Sequence, residues 1–214
     1  MTYASAMARS AVSYTPEVRR RMPADQRREQ LLGTARRVIA RSGLSALTID
    51  AVAAEGDVSR ALVYQHFGDR DALLMALLEA EWTWLNERIL PALEADDGAD
   101  LVDRVMLAVR PYFDAKAERG PVFAALLLDF GSGSAPVERA LRDYRRRVVE
   151  RWSRELRGGA DVEERRTRAL VVVLIGGFEA AARQWWYGSH ARRADLEDAF
   201  RLVLRATIQQ ASVP

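Results

Sequence analysis

The chain has 214 residues, 49% apolar and 29% charged, and no cysteine. This balance excludes a disulfide scaffold, a collagen-like fibre and a fully disordered polymer, and it leaves no thiolate for catalysis or metal binding. The formal net charge is +2, but residues 1–70 carry 11 Arg against 7 acids, whereas residues 71–214 carry 21 basic against 23 acidic residues. A basic first third joined to a near-neutral remainder points to a polyanion-binding module attached to a different body. The longest apolar stretch, 169–182, falls short of the roughly 20 residues of a membrane span. The first 25 residues hold no apolar secretory segment. No membrane association is expected, and a cytoplasmic location is.

Residues 1–25 lack periodicity, contain Arg19-Arg20-Arg21 and read as a flexible basic arm. From there every periodic segment is helical. Leu31, Ala35, Val38 and Ile39 mark one face of a first helix that Ser42-Gly43 ends. Two short segments follow, 48–55 and 59–67, separated by Gly56-Asp57-Val58. Asp69 can cap a longer helix striped with Leu73, Leu74, Leu77, Leu78, Trp82 and Leu85. Beyond Pro91 come a stripe ending at Tyr112 and Phe113, a short apolar helix at 122–130, and a flexible turn at 131–134. Then Val137, Leu141, Tyr144, Val148 and Trp152 keep strict helical spacing. Asp161 with Glu164 resembles a capping box opening a helix over 162–187, and Asp195 can cap a last helix. The expected architecture is all-α, about nine helices: an arm at 1–25, a polyanion-binding head at 26–70 and a helical body at 71–214.

The second and third helices are joined by a three-residue turn, the helix-turn-helix arrangement, with Val52 and Ala53 packing on Val58, Leu62 and Val63. That packing leaves Ser59, Arg60, Ala61 and Gln65 outward, where a recognition helix meets base edges in the major groove. Arg60 can pair bidentately with a guanine. Thr48, Tyr64, His66 and Arg70 supply donors suited to phosphate oxygens.

These residues resemble the tetracycline-repressor (TetR) family of transcription regulators over about residues 26–85. The match runs through Arg27-Arg28-Glu29-Gln30-Leu31-Leu32, Gly43-Leu44, Leu47-Thr48-Ile49, Val58-Ser59, Leu62-Val63-Tyr64-Gln65-His66-Phe67 and Asp71-Ala72-Leu73-Leu74. The resemblance implies that Thr48 and Tyr64 bind phosphates, as does Arg70 where relatives usually carry Lys. It also implies a homodimer joined through helices 162–187 and 195–210, a palindromic double-stranded operator, and a repressor released by a small molecule. The family usually has Gly directly before Val-Ser. Here Asp57 stands there, and Asp tolerates the left-handed geometry such a turn requires. Interface positions are expected at Val172 and Leu204, on helices whose apolar surface one body would struggle to cover.

In the body, Trp82, Phe113, Phe123, Leu127, Phe130, Phe178 and Trp186 are candidates for a ligand cavity, with Glu179 and Arg183 four apart as its polar contact or as an internal ion pair. The stretch from Tyr112 through Phe130 to Phe178 resembles TetR-type regulators of lipid metabolism, some of which sense long acyl chains, so the effector is expected to be a long-chain acyl or other lipophilic compound. The arginines at 142, 145, 146, 147 and 151 read as a solvated helix face. Two distant histidines and no local carboxylate spacing predict no metal, and no cofactor or catalytic motif is present. An all-α enzyme and a helical protein-interaction module remain the other classes compatible with this composition.

Overall fold

The computed structural model describes residues 22–94, 98–127, 134–158, 164–188 and 191–211. Within them the chain forms nine α-helices and one 3₁₀ turn. The helices are α1 (Ala24–Ser42), α2 (Ile49–Glu55), α3 (Arg60–Phe67), α4 (Arg70–Glu94), α5 (Leu101–Glu118), α6 (Pro121–Leu127), α7 (Ala135–Gly158), α8 (Glu164–Trp186) and α9 (Arg193–Ala211); the 3₁₀ turn, Leu44–Ala46, joins α1 to α2. The arm residues 1–21, Phe130, the turn at 131–133, Asp161 and His190 lie outside the described residues, as does the side chain of Leu127.

Local chemistry explains the boundaries. Gly43, at φ +81°, ends α1 and returns its N–H to the Ile39 carbonyl. Thr48 and Ser59 cap α2 and α3, accepting from Ala51 N and Leu62 N at 3.0 and 3.2 Å. Asp69 does the same for α4, accepting from Ala72 N at 2.8 Å. Two expected boundaries move. Helix α4 continues through Pro91 to Glu94. Asp195 is the third residue of α9, not its cap; it reaches back to accept from Arg192 N at 3.3 Å and pairs with the Arg192 guanidinium.

The head packs Leu31, Val38, Leu47, Val52 and Val63 into a core that continues without a break into α4 and α6. A second cluster joins α5, α8 and α9 through Val105, Val109, Phe113, Leu174, Phe178 and Leu204. Helix α4, roughly 37 Å long at 1.5 Å per residue, therefore starts in the head and ends deep in the body. Leu204, expected on the dimer face, is 1% exposed and points into its own chain. The large apolar residues of α9 that face outward are instead its neighbours Leu202 and Val203.

The head and body are also joined electrostatically. Glu81 on α4 is fully buried and accepts from Arg36 Nε of α1 at 3.0 Å and from Arg119 Nε and a terminal nitrogen at 2.8 and 2.6 Å. Arg119 follows α5 and also lies over the Trp84 ring. One carboxylate thus ties α1, α4 and the α5–α6 turn.

Candidate nucleic-acid interface and ligand cavity

The turn between α2 and α3 depends on two unlike residues. Gly56 keeps a right-handed conformation, φ −91° and ψ −3°, yet a Cβ there would stand 3.1 Å from the Val52 carbonyl oxygen. The left-handed position falls on Asp57, at φ +48°, as its place before Val58-Ser59 predicts. Val58 N then donates to the Ala53 carbonyl at 3.0 Å, which closes the turn and fixes α3 across α2.

Val63 and Phe67 hold α3 down, so Ser59, Arg60, Ala61, Tyr64 and Gln65 are all exposed on its outer side. Arg60 is already oriented. Its Nε pairs with Asp50 Oδ1 at 2.9 Å, and a terminal nitrogen donates to Tyr64 Oη at 3.2 Å. Asp50 was not foreseen because its partner lies ten positions on, in another helix, beyond the reach of helical spacing. Thr48 is exposed at the start of α2; its Oγ accepts from the backbone, leaving the hydroxyl proton to be donated outward. His66 is half-buried in the last turn of α3, whose carbonyl accepts from Arg28 at 2.8 Å. Arg70 faces inward more than its phosphate role implies. Its Nε donates to the Leu47 carbonyl at 2.7 Å, and a terminal nitrogen to that of Leu44 at 3.5 Å.

In the body the structure brings Phe178 and Glu179 together around a small apolar void between α5, α7, α8 and α9, with Tyr112, Trp152 and Phe200. The void measures about 40 Å³. A cleft of about 260 Å³ between α4 and α7 contains Trp82, and a groove of about 430 Å³ separates α7 from α8. Tyr112 and Val148 border all three. Phe113, Phe123 and Trp186 are core residues: Phe113 meets Phe178 edge-on, and Phe123 stacks on Trp186 with centroids 5.5 Å apart. Tyr144 and Trp152, which border the cleft, had shown only as a regular helical stripe.

Glu179 does not take Arg183 as its hydrogen-bonding partner. Its carboxylate accepts from Arg145 of α7 at 2.7 Å, while exposed Arg183 acts as a neighbouring charge. Burial raises the Glu179 carboxyl above its ordinary value, and the two arginines pull it back. The α7 arginines are therefore not a uniform solvated face, since Arg145 reaches this carboxylate.

Two family models match this chain, "Bacterial regulatory proteins, tetR family" over residues 31–77 and "Tetracyclin repressor-like, C-terminal domain" over residues 101–208. The chain belongs to the TetR family. It is a TetR-type transcriptional regulator, with an N-terminal helix-turn-helix domain and a C-terminal helical domain. A curated relative, the HTH-type transcriptional activator FasR of Mycolicibacterium smegmatis, is 34% identical over 94 residues, or 44% of this chain and 42% of FasR. A TetR-family regulator from Streptomyces coelicolor is 26% identical with a TM-score of 0.68, over 90% of this chain and 92% of that one. A Rhodococcus transcriptional regulator shares the fold at 21% identity and a TM-score of 0.71, over 87% and 98% of the two chains. Regulators of this family bind DNA operators and small-molecule effectors. No described helix is long and apolar enough to cross a membrane.

Proposed function

We propose that this TetR-family protein is a cytoplasmic, ligand-released repressor that binds a palindromic operator as a homodimer. The observation that carries the DNA reading is the exposed face of α3, where Arg60 is held for base contact while Thr48 and Tyr64 flank it with hydroxyl donors. Residues 26–70 act as the reading head and 71–214 as the effector and dimerisation body. His66 and Arg70 contribute to phosphate binding, with Arg70 also bracing the connection into α2. No catalytic role is part of this reading.

The dimer reading rests on apolar residues that no other described residue covers. Val173 and Leu202 are each 71% exposed, and Val172 and Val203 more than half exposed, on adjacent helices α8 and α9. A Cβ built on Gly176 or Gly177 meets nothing within 4 Å, so packing within the chain does not require glycine there. Close approach of a second pair of helices does. Two-fold pairing then presents one recognition helix to each half of an operator.

The body is the effector domain, and its effector is lipophilic, a long-chain acyl compound among the candidates, admitted between α4, α7 and α8. Binding there displaces α4, which begins at the head, and so changes the separation of the two reading helices. The test is selection of bound genomic fragments, followed by release of the purified complex with a panel of lipophilic compounds. Release by none of them overturns the effector reading; absence of any preferred fragment overturns the DNA reading. A second reading, activation, is favoured by the name of the FasR relative. A reporter behind the bound promoter separates the two: its output rises on deletion of a repressor and falls on deletion of an activator.

A further inference from the structure

The cleft between α4 and α7 gathers several hydrogen-bond donors, beside Thr83 and Asn86, which can donate or accept. Trp82, stacked on Tyr144 with ring centroids 4.2 Å apart, carries a buried indole Nε1 that has no partner among the described residues. A buried donor left without an acceptor is costly and uncommon, and it asks for an explanation. The Tyr112 and Tyr144 hydroxyls donate to no described group. Burial raises both, Tyr144 to about 12, so at neutral pH both carry a proton to donate. Arg147 has no carboxylate partner among the described residues, and Arg151 stands 3.9 Å from Glu94. The acid bordering this cleft is Glu79, which is exposed. Beyond Tyr112, Val148 and Trp152 the surroundings turn apolar around the void beside Phe178.

We propose that the α4–α7 cleft takes the anionic oxygen headgroup of an amphiphile, a carboxylate or a phosphate, whose alkyl tail passes Val148 and Trp152 toward Phe178. This deepens, and rests on, the reading of the body as an effector domain. Arg147 supplies charge-assisted hydrogen bonds, while Trp82 and the tyrosines supply neutral donors that an anion accepts and a cation does not. The opposite charge has a poorer position. Glu179, the carboxylate beside the void, is already paired with Arg145, so a cationic headgroup must displace an arginine to reach it. The void of about 40 Å³ holds little as it stands, so the tail enters by parting its side chains.

The test titrates the full chain with dodecanoate, dodecyl phosphate, dodecanol and dodecyltrimethylammonium, each below its aggregation concentration, following tryptophan emission and the thermal midpoint. At least one anion is expected to bind about tenfold more tightly than the alcohol, and the two anions compared distinguish carboxylate from phosphate. Arg147→Ala is expected to remove that advantage and leave alcohol binding unchanged. Trp82→Phe, which keeps a stacking ring, is expected to weaken anion binding, and Arg142→Ala at an exposed site to leave it as it was. Equal binding of alcohol and anions overturns the headgroup assignment while the effector cavity stands. An anion advantage that survives both Arg147→Ala and Trp82→Phe also overturns it, as does tightest binding of the cation. Binding of none of the four overturns the amphiphile, whereas the effector reading falls only with the compound-release assay above.

Discussion

Replacing Glu81 by Gln removes the charge on which Arg36 and Arg119 converge while keeping the size of the side chain. The carboxylate is fully buried and accepts three hydrogen bonds, at 3.0, 2.8 and 2.6 Å. An amide in its place offers one oxygen and turns an N–H toward a guanidinium, so a donor faces a donor. Removing one member of a buried ion pair costs about 3–5 kcal/mol, because the remaining charge stays desolvated. Both arginine side chains are about one-fifth exposed, which places the cost near the lower end, about 3 kcal/mol. That is a large share of the 5–15 kcal/mol that typically stabilises a folded chain.

A control lies in the same network. Glu29 pairs with Arg36 at 3.0 Å but is two-thirds exposed, so Glu29→Gln is expected to cost under about 1 kcal/mol. Urea unfolding followed by tryptophan emission, at fixed protomer concentration, measures both variants. The Glu81 cluster ties α1 to α4 and the α5–α6 turn. A shallower slope in Glu81→Gln accordingly marks the head melting ahead of the body. If Glu81→Gln stays within about 1 kcal/mol of Glu29→Gln, the cluster is not a stabilising junction and the reasoning is refuted.

Arg60→Ala is expected to cost about 1–3 kcal/mol of operator binding and to relax preference at one position, because base edges carry sequence. Thr48→Ala and Tyr64→Phe are expected to weaken binding to all fragments alike, as phosphate contacts do; quantitative shift assays on matched and scrambled fragments separate these patterns. Val173→Asp or Leu202→Asp is expected to convert a dimer of about 48 kDa, twice the 24.0 kDa chain, to monomer in sedimentation. Monomers in neither variant place the interface elsewhere. Tyr144 is pushed from its usual 10 up to about 12, chiefly by burial and secondly by Glu179, and Tyr112 shifts in the same direction. The folded value lies above the unfolded one. This contribution, about 3 kcal/mol for Tyr144, is therefore complete below pH 10 and is lost as pH rises through about 12. Stability that stays flat across that window, with ordinary phenolate absorbance, contradicts the burial of these hydroxyls.

How much of this could be read without the structure depended on the range of the physics involved. Thr48, Ser59, Asp57 and Asp69 act through backbone groups within three or four residues, so the two helices, their turn and the start of α4 were legible from spacing. The stripe of α4 also carries a signal of its own: Glu81 occupies an apolar register between Leu77 and Leu85, and a carboxylate there needs distant cations. Which cations those are is a matter of packing, since Arg36 and Arg119 lie 45 and 38 positions away. The same limit governs Glu179. Helical spacing nominates Arg183, but the side chain that reaches its oxygen belongs to α7.

Face assignment failed on α9 for a related reason. Leu202, Val203 and Leu204 are consecutive apolar residues, so hydrophobicity alone cannot say which belongs to the chain's own core. The structure divides them: Leu204 joins Phe178 and Val105, while Leu202 and Val203 face outward, as Val172 and Val173 do on α8. A helix that serves two cores at once carries a wider apolar arc than either needs. That width is visible in the sequence from 169 to 182 and again at 202–204, and it is the property on which the proposed dimer rests. The same reasoning separates the roles of α8 and α4. Helix α8 has apolar residues on opposite sides, as the proposed pairing of subunits needs, whereas α4 buries one side along its length and runs from the head into the body.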